Sequence, residues 1–366
     1  MTKGALRPRL LHILGTGDDA AARRCVRLVK ALNAFDHAVA HDPAFTVPGD
    51  RQSVPFPPLD GKPWPGRLLR LARAMEGFDL ICTHGWGAID AALAHTLFAD
   101  VVKLAPLVVH DDDGRSRGTV REYYRRIALG RCAALVVPSR WVERIALERW
   151  QQPRSRVRLI ADGIDLRAVN RAPKRDALPR VIKQRDERWI GTFAGIDGGN
   201  DLPLLVRACA SLGSDWHLVI LGDGAGRDRV MAEAERCEMF DRVHWSEPPA
   251  EPGKVIGLFD IYAQLGGNAP VPEPVVQAMA VGLPVIAPRA GEIAAALATQ
   301  NGPLLHASGD GPALAAALDT LARDPALRKA IGEANRTKAR AEFDAARMIE
   351  QYRALYANLL GRPPAA

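Results

Sequence analysis

Apolar runs of four to six residues recur along the 366-residue chain, and most are followed by stretches whose apolar positions repeat at helical spacing. "LLHIL" (10–14), "DLICTH" (79–84), "APLVVH" (105–110), "ALVVPS" (134–139) and "RVRLIA" (156–161) predict strands. "DDAAARRCVRLVKALN", "GAIDAALAHTLF", "TVREYYRRIALGR" and "SRWVERIALERW" predict the helices between them. Strand and helix alternation with short connections requires parallel strands joined by crossovers, hence a doubly wound α/β sheet. Residues 171–188, "RAPKRDALPRVIKQRDER", break this rhythm with prolines and dense charge, the pattern of a linker.

The rhythm then restarts. "WIGTFAG", "WHLVILGDG", "RVHWSE", "FDIYAQL" and "PVIAPRAGE" predict strands, with "DLPLLVRACASLG", "GRDRVMAEAERCE" and "EPVVQAMAVG" as helices. The expected organisation is a Rossmann-like domain over 1–170, the linker 171–188, a second Rossmann-like domain over 189–345, and a C-terminal helix and tail over 346–366. Length supports this division, because a single core stops growing at about 250–300 residues. Two such domains facing across a cleft would place ligands at the carboxyl ends of their strands.

Composition adds limits. Hydrophobic residues make up 48% and charged residues 25%, as in ordinary globular proteins. No apolar run reaches the roughly 20 residues needed to span a bilayer, and the N-terminal stretch meets glycine and aspartate too early for a signal peptide, so the cytoplasm is the expected location. The five cysteines, Cys25, Cys82, Cys132, Cys209 and Cys237, are scattered and form no CxxC pair, which predicts reduced, buried thiols and no zinc site. The net charge of +7 favours anionic partners. It is concentrated in "AARRCVRLVK", "KPWPGRLLRLAR" and "REYYRRIALGR", each with arginines beside apolar residues. These are solvated helix faces or, taken together, a surface that docks on the inner face of a membrane, with Trp64 and leucines entering the interface. No binding motif or aromatic platform accompanies the charge, so nucleic acid is not the expected partner.

Several strand exits carry candidate chemistry. Gly15 and Gly17 let backbone amides approach a phosphate or sugar hydroxyl, or simply form a tight turn capped by Asp18. His110 and Asp111, followed by Asp112 and Asp113, end a strand where they can hold or polarise a sugar hydroxyl; the alternative is an acidic surface loop. His84 and Trp86 leave the neighbouring strand and suit sugar recognition, unless Trp86 only plugs a helix base. Ser139 is a candidate helix N-cap, with Arg140 beside it as an anion contact. Gly222, Asp223 and Gly224 form a glycine-rich turn suited to a base or ribose, without the downstream acidic residue of a dinucleotide site.

In combination, "LLHILGTGD", "VVPSRWVERIA", "RVRLIADGID", "ILGDGAGRDRV" and "EPVVQAMAVGLPVIAPRAGEI" resemble the retaining GT-B glycosyltransferases of family 4, also called group 1. The resemblance covers nearly the whole chain. It implies that the first domain takes the acceptor, that the second takes a UDP- or GDP-sugar, and that the C-terminal helix crosses back onto the first domain. No metal or other cofactor is expected; the nucleotide sugar is a co-substrate. Gly291 and Glu292 fall within the donor-site string. The resemblance also calls for an arginine and a lysine at the leaving diphosphate, where this chain has Gly195 and Asn200, and for two glutamates where it has Ala269 and Gln277. Glu273 stands between the last two positions, either as a first-turn anion or as a displaced sugar contact, and Arg140 or Arg289 would have to replace the missing cations. His110 and Glu273 are the candidate catalytic residues.

Two functions follow. One is transfer of a sugar to a lipid-linked or saccharide acceptor in envelope or exopolysaccharide synthesis. The other is an inactive GT-B paralogue that binds a glycan or an active paralogue. A GT-B enzyme of other chemistry, such as a sugar-nucleotide epimerase, is a third class, disfavoured by the same missing phosphate ligands.

Overall fold

A computed structural model describes residues 7–15, 19–41, 53–111, 118–169, 173, 177–179, 181–194, 201–222, 226–248, 253–266, 271–289 and 291–361. It divides into two compact units, one formed by Met1–Asp162 with Ala346–Ala366 and the other by Gly163–Ala345.

The first unit runs β1 (Arg9–Leu14), α1 (Asp19–Ala31), β2 (Asp36–His41), α2 (Pro65–Ala74), β3 (Leu80–His84), α3 (Ile89–Val102), β4 (Leu107–His110), α4 (Thr119–Ala128), β5 (Ala134–Val137), α5 (Arg140–Glu148) and β6 (Val157–Leu159). Its sheet is parallel throughout, in the order β2-β1-β3-β4-β5-β6. Both faces are covered, which is why its strands read as nearly continuous apolar runs. Side-chain alternation divides them: Leu11, Ile13, Ile81, Leu107 and Val109 enter the core under α2 to α5. Leu10, Leu80, Cys82 and Val108 pack on the opposite face with Leu28 of α1 and with Met348, Tyr352 and Tyr356 from the returning C-terminal segment. β2, "DHAVAH", was not legible as a strand, because two histidines interrupt its short apolar run.

The second unit contains α6 (Leu166–Val169), β7 (Arg188–Ala194), α7 (Leu202–Ala210), β8 (Trp216–Gly222), α8 (Arg227–Arg236), β9 (Val243–Ser246), α9 (Gly253–Ile256), β10 (Ile261–Ala263), α10 (Glu273–Val281), β11 (Val285–Pro288), α11 (Gly291–Ala296), β12 (Leu305–His306), α12 (Gly311–Arg323) and α13 (Pro325–Glu342). α14 (Ala345–Leu359) carries the chain back into the first unit. The second sheet, also parallel, has the order β12-β11-β10-β7-β8-β9, in which the order reverses between β7 and β10. That reversal is a topological switch point, and the exits of β7 and β10 flank it.

Local chemistry fixes several element ends. The Ser139 hydroxyl accepts from Val142 N at 3.1 Å and caps α5. Asp324 caps α13 through Leu327 N, and Pro325 opens that helix, so "RDPAL" is a helix boundary written in sequence. α10 opens with Glu273 and Pro274 and ends at Gly282, whose φ of 87° is left-handed. Gly332 of α13 lies so close to the Gly282 carbonyl that a Cβ there would collide with it.

Candidate functional site

In the first unit, the sheet order reverses between β1 and β3, and their exits meet there. Gly15 directly follows β1, and the backbone of Gly87 occupies the space a Cβ on Gly15 would need. Gly85, with φ of 70°, turns the chain out of β3. Gly17 lies outside the described residues, as do Asp112 and Asp113.

Strand register assembles a cluster that spans distant parts of the sequence. His12, His84 and His110 hold alternate positions on β1, β3 and β4, all on the face that carries α1 and the C-terminal helix. His84 and His110 are direct cross-strand partners, and their rings stack with centroids 4.2 Å apart. His12 Nδ1 lies 3.0 Å from His84 Nε2, and His12 Nε2 lies 3.0 Å from His37 Nδ1. His37 Nε2 lies 3.0 Å from the carbonyl oxygen of Leu32. A carbonyl only accepts, so His37 Nε2 carries the proton, and each neutral ring in turn must donate to the next. The chain therefore runs His84 to His12 to His37 to Leu32, leaving a lone pair on His84 Nδ1. His110 Nδ1 donates to Thr83 O at 3.0 Å, which leaves a second lone pair on His110 Nε2. Neither nitrogen has a partner among the described residues.

Burial is the main cause that holds these rings neutral. It takes His12 and His84 well below the ordinary range and His110 to about 3, with neighbouring histidines or Arg24 adding to the effect. His37 is lowered too. The bare nitrogens can thus accept a hydrogen bond, while an anion gains no cationic partner from them. Beside them, Arg24 Nε and Nη2 donate to the two carboxylate oxygens of Asp162 at 2.6 and 2.9 Å. Burial raises the Asp162 pKa, but Arg24 outweighs this and leaves it lowered. His12, Cys25 and His84 also have ligand atoms within 4.8 Å of one another, the one such grouping found among the described residues. The described cysteines are reduced, and all but Cys237 are buried.

The remaining first-unit candidates go elsewhere. The Asp111 carboxylate accepts from Arg125 Nε at 2.7 Å and from Nη2 at 3.3 Å, and both side chains are shut off from solvent. The Arg125 guanidinium also lies over the Trp86 and Trp150 rings, 4.5 and 4.7 Å from their centroids. Trp86 belongs to the α3 and α4 side of the sheet, where it meets Tyr124. His84 and Trp86, two residues apart, thus serve opposite faces. Arg140 is largely exposed and lies 3.5 Å from Glu143.

In the second unit, Gly222 ends β8 and accepts through its carbonyl from Trp245 Nε1 at 3.3 Å. Tyr262 of β10 donates its hydroxyl hydrogen to Gln264 Oε1 at 3.1 Å, and Gln264 Nε2, just past the strand, donates to Gly266 O at 2.8 Å. On α10, Gln277 Nε2 donates to Glu273 Oε1 at 3.1 Å. Gln277 is buried, and its Oε1 has no partner among the described residues. Gly291 opens α11 at φ 62°, followed by the buried Glu292. Arg289 places Nη2 on the carbonyls of Gly302 and Leu305. Gly195, Asn200, Asp223, Gly224 and Ala269 lie outside the described residues.

Sequence reasoning missed a support beneath this surface. Asn301 exchanges hydrogen bonds with Val285 N and O, while Asn335 Nδ2 reaches Leu283 O and Asn301 Oδ1, each at 2.9 Å. Both amides are fully buried and tie α13 to the start of β11. The only sequence signal was Asn335 at the buried spacing of Ile331 and Ala339 in α13; Asn301, in the turn "TQNGPL", gave none. His12, His37, Arg24 and Asp162 were also missed, since only strand pairing brings them together.

The model for glycosyl transferases group 1 matches residues 180–338, and that for glycosyltransferase family 4 matches residues 21–168. No curated protein matches the chain. Among solved structures, Anabaena Alr3699/HepE in complex with UDP is 17% identical over 96% of this chain and 100% of its own, with a TM-score of 0.78. A glycosyltransferase from Rickettsia africae ESF-5 is 14% identical over 98% and 100%, with a TM-score of 0.80. Sucrose-phosphate synthase from Thermosynechococcus elongatus is 21% identical over 97% and 100%, with a TM-score of 0.72. Two Rossmann-like units with parallel six-stranded sheets make this a GT-B protein. With the two family models matching its two halves, the chain is a group 1, family 4 glycosyltransferase-like protein.

Proposed function

We propose that this protein transfers a glycosyl group from a nucleotide diphosphate sugar to a lipid-linked or saccharide acceptor, in the synthesis of an envelope or extracellular polysaccharide. The observation that carries the donor side is the Glu273–Gln277 couple. The amide of Gln277 is engaged by Glu273, and its buried Oε1 has no partner among the described residues, which suits it to accept from a ribose hydroxyl near the β7/β10 switch point. Solved structures of Alr3699/HepE hold UDP and UDP-glucose, which makes UDP the nucleotide to try first.

Retaining transfer passes through an oxocarbenium-like state while a diphosphate leaves, so the developing charge needs oriented donors. In our reading no metal ion supplies them; arginines and backbone amides do. A glycine at 195 and an asparagine at 200 remove two cations, each worth about 1.5–3 kcal/mol in a charged hydrogen bond. Transfer should therefore be slow for the family. The arginine excess of the first unit supports a reaction at the inner face of a membrane.

Calorimetric titration with UDP, GDP and UDP-glucose, followed by a search for slow sugar-nucleotide hydrolysis, tests the reading. Binding of a nucleotide diphosphate with slow turnover is expected; no binding to any of them defeats it. A second reading, an inactive paralogue that binds a glycan or an active paralogue, is favoured by Gly195, Asn200 and Ala269. Nucleotide binding with no turnover, even with candidate acceptors present, would select it.

A further inference from the structure

A cavity of ≈ 330 Å³ opens in the first unit beside the exit of β3. Its walls come from the segment before α2, the turn around Trp86, the start of α3, and α4. Leu59, Ile89, Trp86, Tyr124 and Val120 make it largely apolar, and Arg121 stands on its wall with a guanidinium 4.9 Å from the Trp86 centroid. Its volume is at the small end of those that hold small molecules. The carboxylate of Asp90, which also lines it, is spent: Arg67 Nη1 and the Tyr124 hydroxyl both donate to it at 2.5 Å.

The surroundings of the cavity narrow the choice of ligand. Eight large apolar side chains are exposed among the described residues, and six of them, Trp64, Leu97, Val101, Val120, Tyr123 and Ile127, lie on α2 to α4 or at the start of α2. Val120, Tyr123 and Ile127 form a stripe at helical spacing along α4, and Val120, 81% exposed, also forms part of the cavity wall. With Arg125 buried on Asp111 and Arg67 paired with Asp90, the three helices still carry Arg70, Arg73, Arg121 and Arg126 against Asp100 and Glu122. An exposed apolar face with a positive excess matches an anionic amphiphile better than a free saccharide. A sugar stacked on Trp86 would also compete with Arg121 and Arg125, which already lie over that ring.

We infer that this cavity holds the apolar chain of a phosphate-bearing lipid acceptor, with Arg121 on the phosphate and the α2–α4 face laid against the membrane. The inference rests on the transferase reading above and specifies its acceptor. The chain buries against Leu59, Ile89 and Val120, while the phosphate stays at the mouth where Arg121 meets it without being desolvated.

Octyl phosphate, octyl glucoside and inorganic phosphate, titrated calorimetrically into the full-length protein, test it. Octyl phosphate should bind at least about tenfold tighter than either of the others. Val120→Asp and Arg121→Glu should each weaken it about tenfold, whereas Phe240→Ser, at an exposed apolar position of the second unit, should not. Since Val120 and Arg121 are exposed, both variants should keep the wild-type melting temperature. No binding of octyl phosphate, equal binding of inorganic phosphate, equal binding of octyl glucoside, or wild-type affinity in both variants would overturn the inference. UDP, GDP and UDP-glucose titrated into the same samples separate the two proposals. Octyl phosphate binding without binding of any of these would keep the lipid cavity and remove the transferase reading; nucleotide binding alone would do the reverse.

Discussion

Arg125 closes two hydrogen bonds on Asp111 where neither side chain meets solvent, and does so between the rings of Trp86 and Trp150. Removing one partner leaves the other charge buried without its main counter-charge. Asp111→Ala and Arg125→Ala should each cost about 3–5 kcal/mol, read as a lower urea midpoint. Arg125→Lys should fail to rescue, since an ammonium supplies neither the planar fork nor the stacking. If Asp111→Ala lost activity at wild-type stability, Asp111 would be a substrate contact instead.

Acid should weaken the first unit through its histidines. Above pH of about 6.5, His12, His84 and His110 are neutral both folded and unfolded. Below it the unfolded chain binds protons that the buried rings refuse, so stability falls by about 1.4 kcal/mol per pH unit for each such histidine. The decline continues until the folded rings titrate, near pH 3 for His110. Urea unfolding between pH 7.5 and 5 should show this slope, and His110→Phe, which keeps a ring in the stack, should remove one histidine's share.

Restoring a family glutamate at position 277 should not help by itself. Gln277→Glu would set two carboxylates one helical turn apart and delete the 3.1 Å amide bond to Glu273. The like-charge pair costs about 0.2–0.5 kcal/mol and the lost hydrogen bond about 1 kcal/mol. Glu273→Gln in the same chain should recover most of that, because the pair is then re-formed with its polarity reversed. Melting curves and UDP titrations of the two singles and the double check this; Gln277→Glu as stable as wild type would contradict it.

Two glycine substitutions should move stability in opposite directions. A Cβ on Gly66 meets nothing within 4 Å, so Gly66→Ala should gain up to about 1 kcal/mol of helix propensity. On Gly332 the same gain is offset by collision with the Gly282 carbonyl, where overpacking costs about 1–3 kcal/mol. A net loss there, with weaker UDP binding if α10 shifts, would show in melting and titration.

Much of the architecture could be read from the chain. The runs "LLHIL", "APLVVH" and "WHLVILGDG" are apolar throughout because parallel strands are buried on both faces. Ser139 and "RDPAL" announced helix ends because capping is local chemistry. The donor helix was equally legible in "EPVVQAMAVGLP", whose proline opens it and whose glycine closes it. The site was less so. His84 and Trp86 stand two residues apart in sequence, but a turn at Gly85 sends them to opposite sides of the sheet.

By itself, the sequence determined two doubly wound α/β units, their helix boundaries and a family, because periodicity, caps and turns act over a few residues. Only the tertiary structure decided that His12, His37 and His84 share a proton-donor chain, that His110 stacks on it, and that Asp111 is held by Arg125. These partners are separated by 14 to 72 residues and meet through strand register and helix packing, which no local pattern encodes.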